Sequence, residues 1–504
     1  MNFARDVVES ADPSATALVA LARNGSRATQ TFAEVADRSA RFAGTLGAHG
    51  ASRGDVVMTL IGNRPEWVHV LVACWRIGAV AMPCTEQLRP ADLRSRIDLV
   101  EPRVVVADER NAGSVRAAGF AGELLTVPDE RVYDAAPAPA VELAADEPAL
   151  IAFTSGTSGE PKAIRHGQRN LPGQRLQAEH WFGARPGELA WCTAASGWSK
   201  SARNVFVAPW LCGAAALLHD ARFDPAERLD VIERERVNVL CMAPTEYRAI
   251  AKRTTLRPLP SLRHAVAAGE PLNPEIVERW REEVGVSIHD GYGQTETGAL
   301  TGMPLGEPVR PGAMGRPLPG IRVWVDAAGA EDASEGGKDE PSGRDGAPQG
   351  EAPPGSGDRI GELCVDPATM PTFFLDGPDD VWRTGDRVRE DADGYLWFEG
   401  RVDDVIISAG YRIGPFEVES ALVSHAAVAE AAAVAAPDDE RGQIVRAVVV
   451  LRDGREPSRA LARELQEHVK QRTAPYKYPR VVEFAEALPK TPSGKIRRAA
   501  LRTP

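Results

Sequence analysis

Apolar side chains mark out the first elements. After Thr31, the residues Phe32, Val35, Ala36, Phe42, Ala43 and Leu46 recur at helical spacing, and Glu34 stands where a capping box needs its second half. Gly50 supplies the stop, so the spacing predicts an amphipathic helix with Ser39 as the one small polar residue on its apolar face. The run DVVMTLI (55–61) reads as a buried strand, EWVHVLVACWRIGAV (66–80) as a mostly apolar helix and RVVVAD (103–108) as another strand. Strand-like runs return at LAWCTAA (189–195), AAALLHD (214–220), VNVLCMAP (237–244) and LRHAVAAG (262–269), several of them separated by helical stretches. Alternation of this kind predicts an α/β body built on parallel strands covered on both faces.

The pattern then breaks. Between Val325 and Ile360 there is no Val, Ile, Leu, Met, Phe, Trp or Tyr, so the stretch cannot bury enough surface to offset its ordering entropy. It is expected to be a disordered surface insertion over 327–358 that carries no chemistry. Beyond it, IGELCVD (360–366), VWRTGD (381–386) and GYLWFEG (394–400) predict short antiparallel strands. From Arg401 a small α+β region follows, with a strand at IVRAVVVL (444–451) and a helix after Pro457 on which Leu461, Leu465 and Val469 share a face. The expected division is 1–400 and 401–504, without internal repeats.

Composition narrows the class. A chain of 504 residues is too long for one domain and suggests about three packing units. Its net charge of −12 lacks the basic footprint of a nucleic-acid binder. The opening MNFARDVVESADP carries Asp6 and Glu9 and does not read as a secretory signal, and no apolar run approaches the roughly 18 residues that would span a bilayer. Six scattered cysteines without metal-ligand spacing read as reduced core residues. A cytoplasmic protein is expected, with no nucleic-acid partner and no membrane span.

Candidate chemistry sits in four stretches. TSGTSGEPK, from Thr154 to Lys162, follows the apolar run ALIAF and offers hydroxyls, glycines and an ammonium that can converge on phosphate oxygens. It is not a Walker loop, because Pro161 takes the second glycine position and Ala163 the Ser/Thr position. In DGYGQTETG (290–298), Glu296 can hold a divalent cation and Thr295 a phosphate oxygen; Glu296 also excludes a dinucleotide fingerprint, since the third glycine would stand there. WRTGD (382–386) ends in an Asp suited to ribose hydroxyls, and PKTPSGK (489–495) is a Gly-Lys loop. Each stretch alone also fits an ordinary turn or a solvated charge.

Their order carries more than any one of them. TSGTSGEPK, AAGEPLNPE (267–275), DGYGQTETG, RTGD, GRVDDVIISAGYRIGPFEVE (400–419) and PKTPSGK together resemble the adenylate-forming superfamily of acyl-CoA synthetases, carrier-protein adenylation domains and luciferases, from about residue 30 onward. SGWSKS (196–201), AAGEPLNPE, RPGAMGRPLPG (310–320) and TAPYKYPR (473–480) look most like its short- and medium-chain acyl-CoA synthetases. The resemblance implies a large N-terminal domain of α/β subdomains with a small antiparallel barrel-like part, and a small mobile α+β C-terminal domain. It implies ATP, Mg2+ and coenzyme A as partners of a small carboxylic acid, in a monomer or homodimer. An adenylating enzyme that serves a separate carrier protein is the alternative.

Residue by residue, the resemblance assigns Thr154, Ser155, Gly156, Thr157, Ser158, Gly159 and Lys162 to the triphosphate. Asp290, Gly291, Tyr292, Gly293, Gln294 and Thr295 go to the adenine and α-phosphate, and Glu296 to magnesium. Asp386 and Arg401 take the ribose, Asp403 the hinge and Arg412 the nucleotide, while Lys495 completes the adenylation site. The Gly269, Glu270 and Pro271 loop lies beside nucleotide and acyl chain, and Trp198 near the acid's carboxylate, though core packing would also explain that tryptophan. Ala409, Gly410 and Tyr411 match the stretch lining the pantetheine tunnel. Arg441, Lys470, Tyr478 and Arg480 match coenzyme A contacts, with a solvated basic surface as the alternative. The segment SGWSKS lacks the histidine of aromatic-acid ligases, which speaks against a benzoate-type substrate. No GxSxG elbow and no Cys/His pair stands out, in keeping with chemistry that needs no covalent enzyme intermediate.

Overall fold

A computed structural model describes residues 1–155, 161–327, 358–372, 374–408, 411–438, 441–491 and 496–502, and only the backbone at Ser155, Pro161, Asp403 and Arg412. The chain divides into two compact units. One comprises Met1–Pro311, Pro317–Ile321 and Pro367–Asp379; the other comprises Gly312–Arg316, Arg322–Asp366 and Asp380–Pro504.

In the first unit, the helix expected after Thr31 runs from Phe32 to Ala48. The capping box closes as the sequence requires: the Thr31 N–H donates to Glu34 Oε2 at 2.7 Å, and the Glu34 N–H donates to Thr31 Oγ1 at 3.2 Å. The helix Pro65–Ile77 starts on a proline and stops at Gly78 in the left-handed region; its apolar residues are buried all round, including Trp67 and Trp75.

Two sheets carry this unit. In one, the order is Glu123–Val127, Val104–Asp108, Val56–Leu60, Val80–Pro83, Pro148–Ser155 and Pro161–Gly167. All neighbours are parallel except the last pair. The other runs Gly298–Gly302, Ile288–Gln294, His264–Ala268, Val239–Met242, Leu189–Cys192, Ala215–His219, Thr16–Leu21 and Arg27–Thr31, parallel through its middle. Its core packs Trp191, Leu240 and Ala265 with Tyr247 and Trp280, whose rings meet edge to face at 4.9 Å. Each such fully buried large side chain contributes about 1.5–3 kcal/mol from desolvation.

The second unit holds a four-stranded antiparallel sheet, Val323–Asp326, Arg359–Val365, Trp382–Glu390 and Leu396–Arg401. A further sheet follows the order Tyr411–Ile413, Ile406–Ser408, Gly442–Leu451, Val428–Asp438, with Val481–Phe484 added parallel to Gly442–Leu451. Helices Pro415–Val423 and Arg459–Arg472 supply Val418, Leu422, Leu465 and Val469 to its core. All six cysteines are free, and five are buried. Among the described residues no helix is long and apolar enough to cross a membrane. Nearly all of the expected insertion, residues 328–357, lies outside the described residues.

Candidate active site

The phosphate-loop candidate joins the antiparallel pair Pro148–Ser155 and Pro161–Gly167, in which Thr154 and Lys162 are register partners. Thr154 is half-buried and Lys162 exposed. Gly156, Thr157, Ser158 and Gly159 lie outside the described residues. Along the second strand Ile164 and His166 share a buried face, with Arg165 exposed on the other, while Lys162 at the start of the strand is exposed. His166 Nε2 lies 2.8 Å from the Thr295 carbonyl. A carbonyl only accepts, so Nε2 carries the proton and donates.

That bond ties the phosphate-loop strand to the second motif. Ile288–Gln294 and Gly298–Gly302 form an antiparallel pair whose connection is Thr295, Glu296 and Thr297. The Gln294 N–H donates to Thr297 Oγ1 at 3.0 Å, and Thr372 Oγ1 donates to the Glu296 carbonyl at 2.8 Å. The turn is thereby held from within and from the 367–379 segment. Tyr292, Gly293, Gln294, Thr295 and Glu296 are half-buried, so they remain reachable. Gly291 faces Trp181 so closely that a Cβ there would come within 2.7 Å of the indole, and its partner Gly302 meets the same ring at 2.7 Å. Asp290 is buried and accepts from the Gly291 N–H at 3.0 Å; burial pushes its carboxyl well above the usual range.

A third wall is the Trp198–Lys200 segment with the loop that follows His264–Ala268. Lys200 Nζ donates to the Ala268 carbonyl at 2.8 Å and lies 5.9 Å from the Trp198 ring centroid. Gly269 has φ +103°, which favours glycine, and a Cβ there would stand 3.0 Å from Lys200 Nζ, close enough that the ammonium would have to give slightly. Trp198 is half-buried, which sets it apart from the fully enclosed tryptophans of the core. Glu270 turns back on its own scaffold: its carboxylate accepts from the Thr245 N–H at 2.9 Å, the Thr245 hydroxyl at 2.5 Å and Arg248 Nη2 at 3.1 Å. Burial works to raise its pKa, yet Arg248 and the Thr245 donors outweigh it and hold the carboxyl below the usual range. Pro271 follows, half-buried. These three walls stand at the carboxyl ends of parallel strands, where open α/β sheets bind ligands.

Within the second unit, Asp386 and Arg401 are register partners joined by a 3.1 Å ion pair, and Arg401 Nη1 also donates to the Thr384 carbonyl at 2.9 Å. Asp386 is buried and Arg401 half-exposed. Tyr478 lies between two cations, with Lys470 Nζ at 4.3 Å and Arg480 Cζ at 4.8 Å from its ring centroid. Exposed Tyr411 stacks on Tyr476 at 4.3 Å. The Arg441 N–H donates to Asp438 Oδ1 at 2.9 Å. Ala409, Gly410 and Lys495 lie outside the described residues, and only the backbone of Ser155, Asp403 and Arg412 is described.

The structure adds residues that the motifs did not single out: His166 and Thr372, which hold the acidic turn, and Lys200, inside a motif but without a role until Ala268 and Gly269 were beside it. The two-residue step from apolar Ile164 was the one signal that His166 faces inward. Among the described residues no cluster of three or more metal-ligating side chains occurs.

An α/β body with these loops at its strand ends is that of an adenylate-forming enzyme. The pattern of the AMP-binding enzyme family matches residues 6–343, and that of the AMP-binding enzyme C-terminal domain matches residues 417–495. An uncharacterized acyl-CoA ligase of Bacillus subtilis, YtcI, is 36% identical over 97% of this chain and 92% of its own length. The human mitochondrial acyl-coenzyme A synthetase ACSM4 is 37% identical over 99% of this chain and 90% of its own. The crystal structure of a Brucella canis acyl-CoA synthetase superposes with a TM-score of 0.73 at 33% identity, covering all of this chain and 94% of that one. The chain belongs to the AMP-binding enzyme family, among its acyl-CoA synthetases.

Proposed function

We propose that the protein activates a carboxylic acid in two steps. The carboxylate attacks the α-phosphorus of ATP, giving acyl-AMP and pyrophosphate; the coenzyme A thiol then attacks the acyl carbon, giving acyl-CoA and releasing AMP. The observation that supports this best is the gathering of the Thr295 turn, the Trp198 segment and the Gly269 loop at strand ends, each fixed by hydrogen bonds from outside itself.

A carboxylate is a weak nucleophile, so the first step needs in-line placement and neutralisation of charge on the phosphoryl oxygens and the departing pyrophosphate. Thr154 to Lys162 hold the triphosphate, and Thr295, kept in place by His166, donates to the α-phosphate. Trp198 and Lys200 border the acid, with Lys200 Nζ supplying a positive edge. Asp386 and Arg401 receive the ribose. Arg412 and Lys495 come to the nucleotide from the C-terminal domain, which begins at about Arg401, and Lys495 supplies the charge that completes adenylation. Glu296 suits magnesium, which takes one or two protein carboxylates and fills its shell from substrate phosphates and water. When bound, magnesium supplies charge neutralisation at the pyrophosphate. In the second step the cations flanking Tyr478, together with Arg441, receive the coenzyme A nucleotide, and Ala409, Gly410 and Tyr411 line the pantetheine path. The reaction takes place in the cytoplasm.

The test is a panel of acids from acetate through medium-chain and aryl acids, assayed with ATP and coenzyme A for AMP and thioester. AMP release that needs both acid and coenzyme A supports the reading. Acyl transfer to a carrier protein with none to coenzyme A would replace it with the carrier-serving alternative.

A further inference from the structure

Arg203, half-buried, lies on the wall of a small, partly open pocket in the first unit, and nothing in the reaction as described uses it. Its polar lining is His166, Asn170, Gln174, Ser199, Arg203, Thr295 and Thr372, and Trp75 and Val207 are part of its apolar side. The pocket therefore reaches from the segment after Trp198 to the turn assigned to the α-phosphate.

The guanidinium has five donors, and its described hydrogen bond is a single one, from Nη2 to the Ser199 carbonyl at 3.3 Å. Its Nη1 stands beside the acidic turn, 3.3 Å from where a Cβ on Gly298 would be. Among the described residues no carboxylate comes within ion-pair distance, and the ionisable groups that act on it are the thiols Cys192 and Cys241. Burial lowers its pKa to about 10, which still leaves it charged at neutral pH.

A second open group shares the pocket. Gln174 is 1% exposed, and its amide nitrogen donates to the Asn170 carbonyl and side-chain oxygen, both at 2.8 Å, while its Oε1 has no partner among the described residues. A cation withdrawn from water is ordinarily kept with a counter-charge, because an unpaired one bears a desolvation penalty.

We propose that this pocket is an anion subsite in which Arg203 binds an anionic oxygen brought by a substrate, leaving Gln174 Oε1 to accept from a water or hydroxyl beside it. The inference rests on the acid-activating reading above. Two sources supply such an oxygen: a second carboxylate on the acid, which would make short dicarboxylic acids preferred substrates, or the α-phosphate of the nucleotide, since Thr295 lines the same pocket.

The experiment compares full-length wild type with Arg203→Met and Arg203→Lys. Each is assayed on succinate against butyrate and glutarate against valerate, with the KM for ATP measured beside each acid. If the acid brings the anion, Arg203→Met loses about 100-fold in kcat/KM on the diacids and not on the monoacids, with Arg203→Lys between the two. If the nucleotide brings it, Arg203→Met raises the ATP KM about tenfold or more with every acid. A diacid-to-monoacid ratio and an ATP KM both within about twofold of wild type overturn the subsite. Thermal shifts of the unmutated protein with succinate, butyrate and AMP read the subsite without turnover. They separate its failure from failure of the reaction: absence of AMP release with every acid strikes the functional reading, whereas equal shifts with succinate and butyrate and no loss of the AMP shift in Arg203→Met strike the subsite. The methionine variant removes an uncompensated charge, so its melting temperature is expected at or above that of wild type; if it fails to fold, Arg203→Lys and the wild-type shifts decide.

Discussion

Glu270→Ala tests how the loop beside Trp198 is held. The carboxylate takes three donors, two from Thr245 and one from Arg248. A hydrogen bond to a charged group contributes about 1.5–3 kcal/mol net. The side chains of Arg248 and Glu270 are 25% and 20% exposed, so solvent screening brings the expected total to about 3 kcal/mol. Arg248 keeps Asn273 Oδ1 at 3.0 Å and Thr245 Oγ1 at 2.8 Å, which prevents the larger penalty of an orphaned cation. The assay is urea unfolding at pH 7 followed by tryptophan fluorescence, with Arg248→Ala and the double variant closing the cycle; a coupling of about 1–2 kcal/mol is expected for the pair. The pH dependence has a definite sign. Because the folded pKa of Glu270 is depressed, its contribution is present above the ordinary carboxylate value of about 4.3 and is lost as pH falls through the lower folded value. The difference between wild type and variant is therefore flat near neutrality and shrinks in acid. The acid KM rises in the variant, since the loop that borders Lys200 is released. A cost below about 1 kcal/mol at pH 7, or a difference that does not shrink in acid, would refute the reasoning.

Further outcomes follow from other residues. Lys495→Ala is expected to lose about two to three orders of magnitude in acyl-adenylate formation while still converting supplied acyl-adenylate to thioester, and an unimpaired first half-reaction contradicts its role. Gly291→Ala drives a methyl group into Trp181 and should cost about 1–3 kcal/mol, read as a lower melting temperature; an unchanged melt would mean the indole has room to move. Tyr478→Ala should raise the KM for coenzyme A about threefold to fivefold and leave acid-dependent pyrophosphate exchange alone. Thr31→Ala should cost about 1 kcal/mol in urea unfolding through loss of the capping box, and a cost near zero would show that packing alone fixes that helix end.

The parts legible in the sequence are those written in local pattern. Strands such as Val104–Asp108 and His264–Ala268 are short apolar runs between turn residues, and the helix Phe32–Ala48 announces both its face and its cap. The site loops were legible through motif order, since each alone looks like a turn. What stayed hidden is long-range. His166 meets Thr295 across 129 residues, and Thr372 meets Glu296 across 76, and no periodicity encodes a hydrogen bond at such separations. Gly291 reads as a glycine for a nucleotide until Trp181 is seen lying across it and Gly302. Glu270 reads as a ligand-facing carboxylate until Thr245 and Arg248 are seen to occupy it. Asn2 shows the same limit at the start of the chain: it is buried, and its amide donates to the carbonyls of Trp75, Arg76 and Val141.

The most direct measurement follows an oxygen atom. With a carboxylic acid labelled with heavy oxygen in its carboxylate, a single turnover with ATP and coenzyme A should leave one labelled oxygen in AMP and none in pyrophosphate, because the carboxylate attacks the α-phosphorus and the acyl–oxygen bond breaks when the thiol attacks. Label in pyrophosphate or inorganic phosphate, or thioester formed with unlabelled AMP, would contradict acyl-adenylate formation and with it the role given to the Thr295 turn.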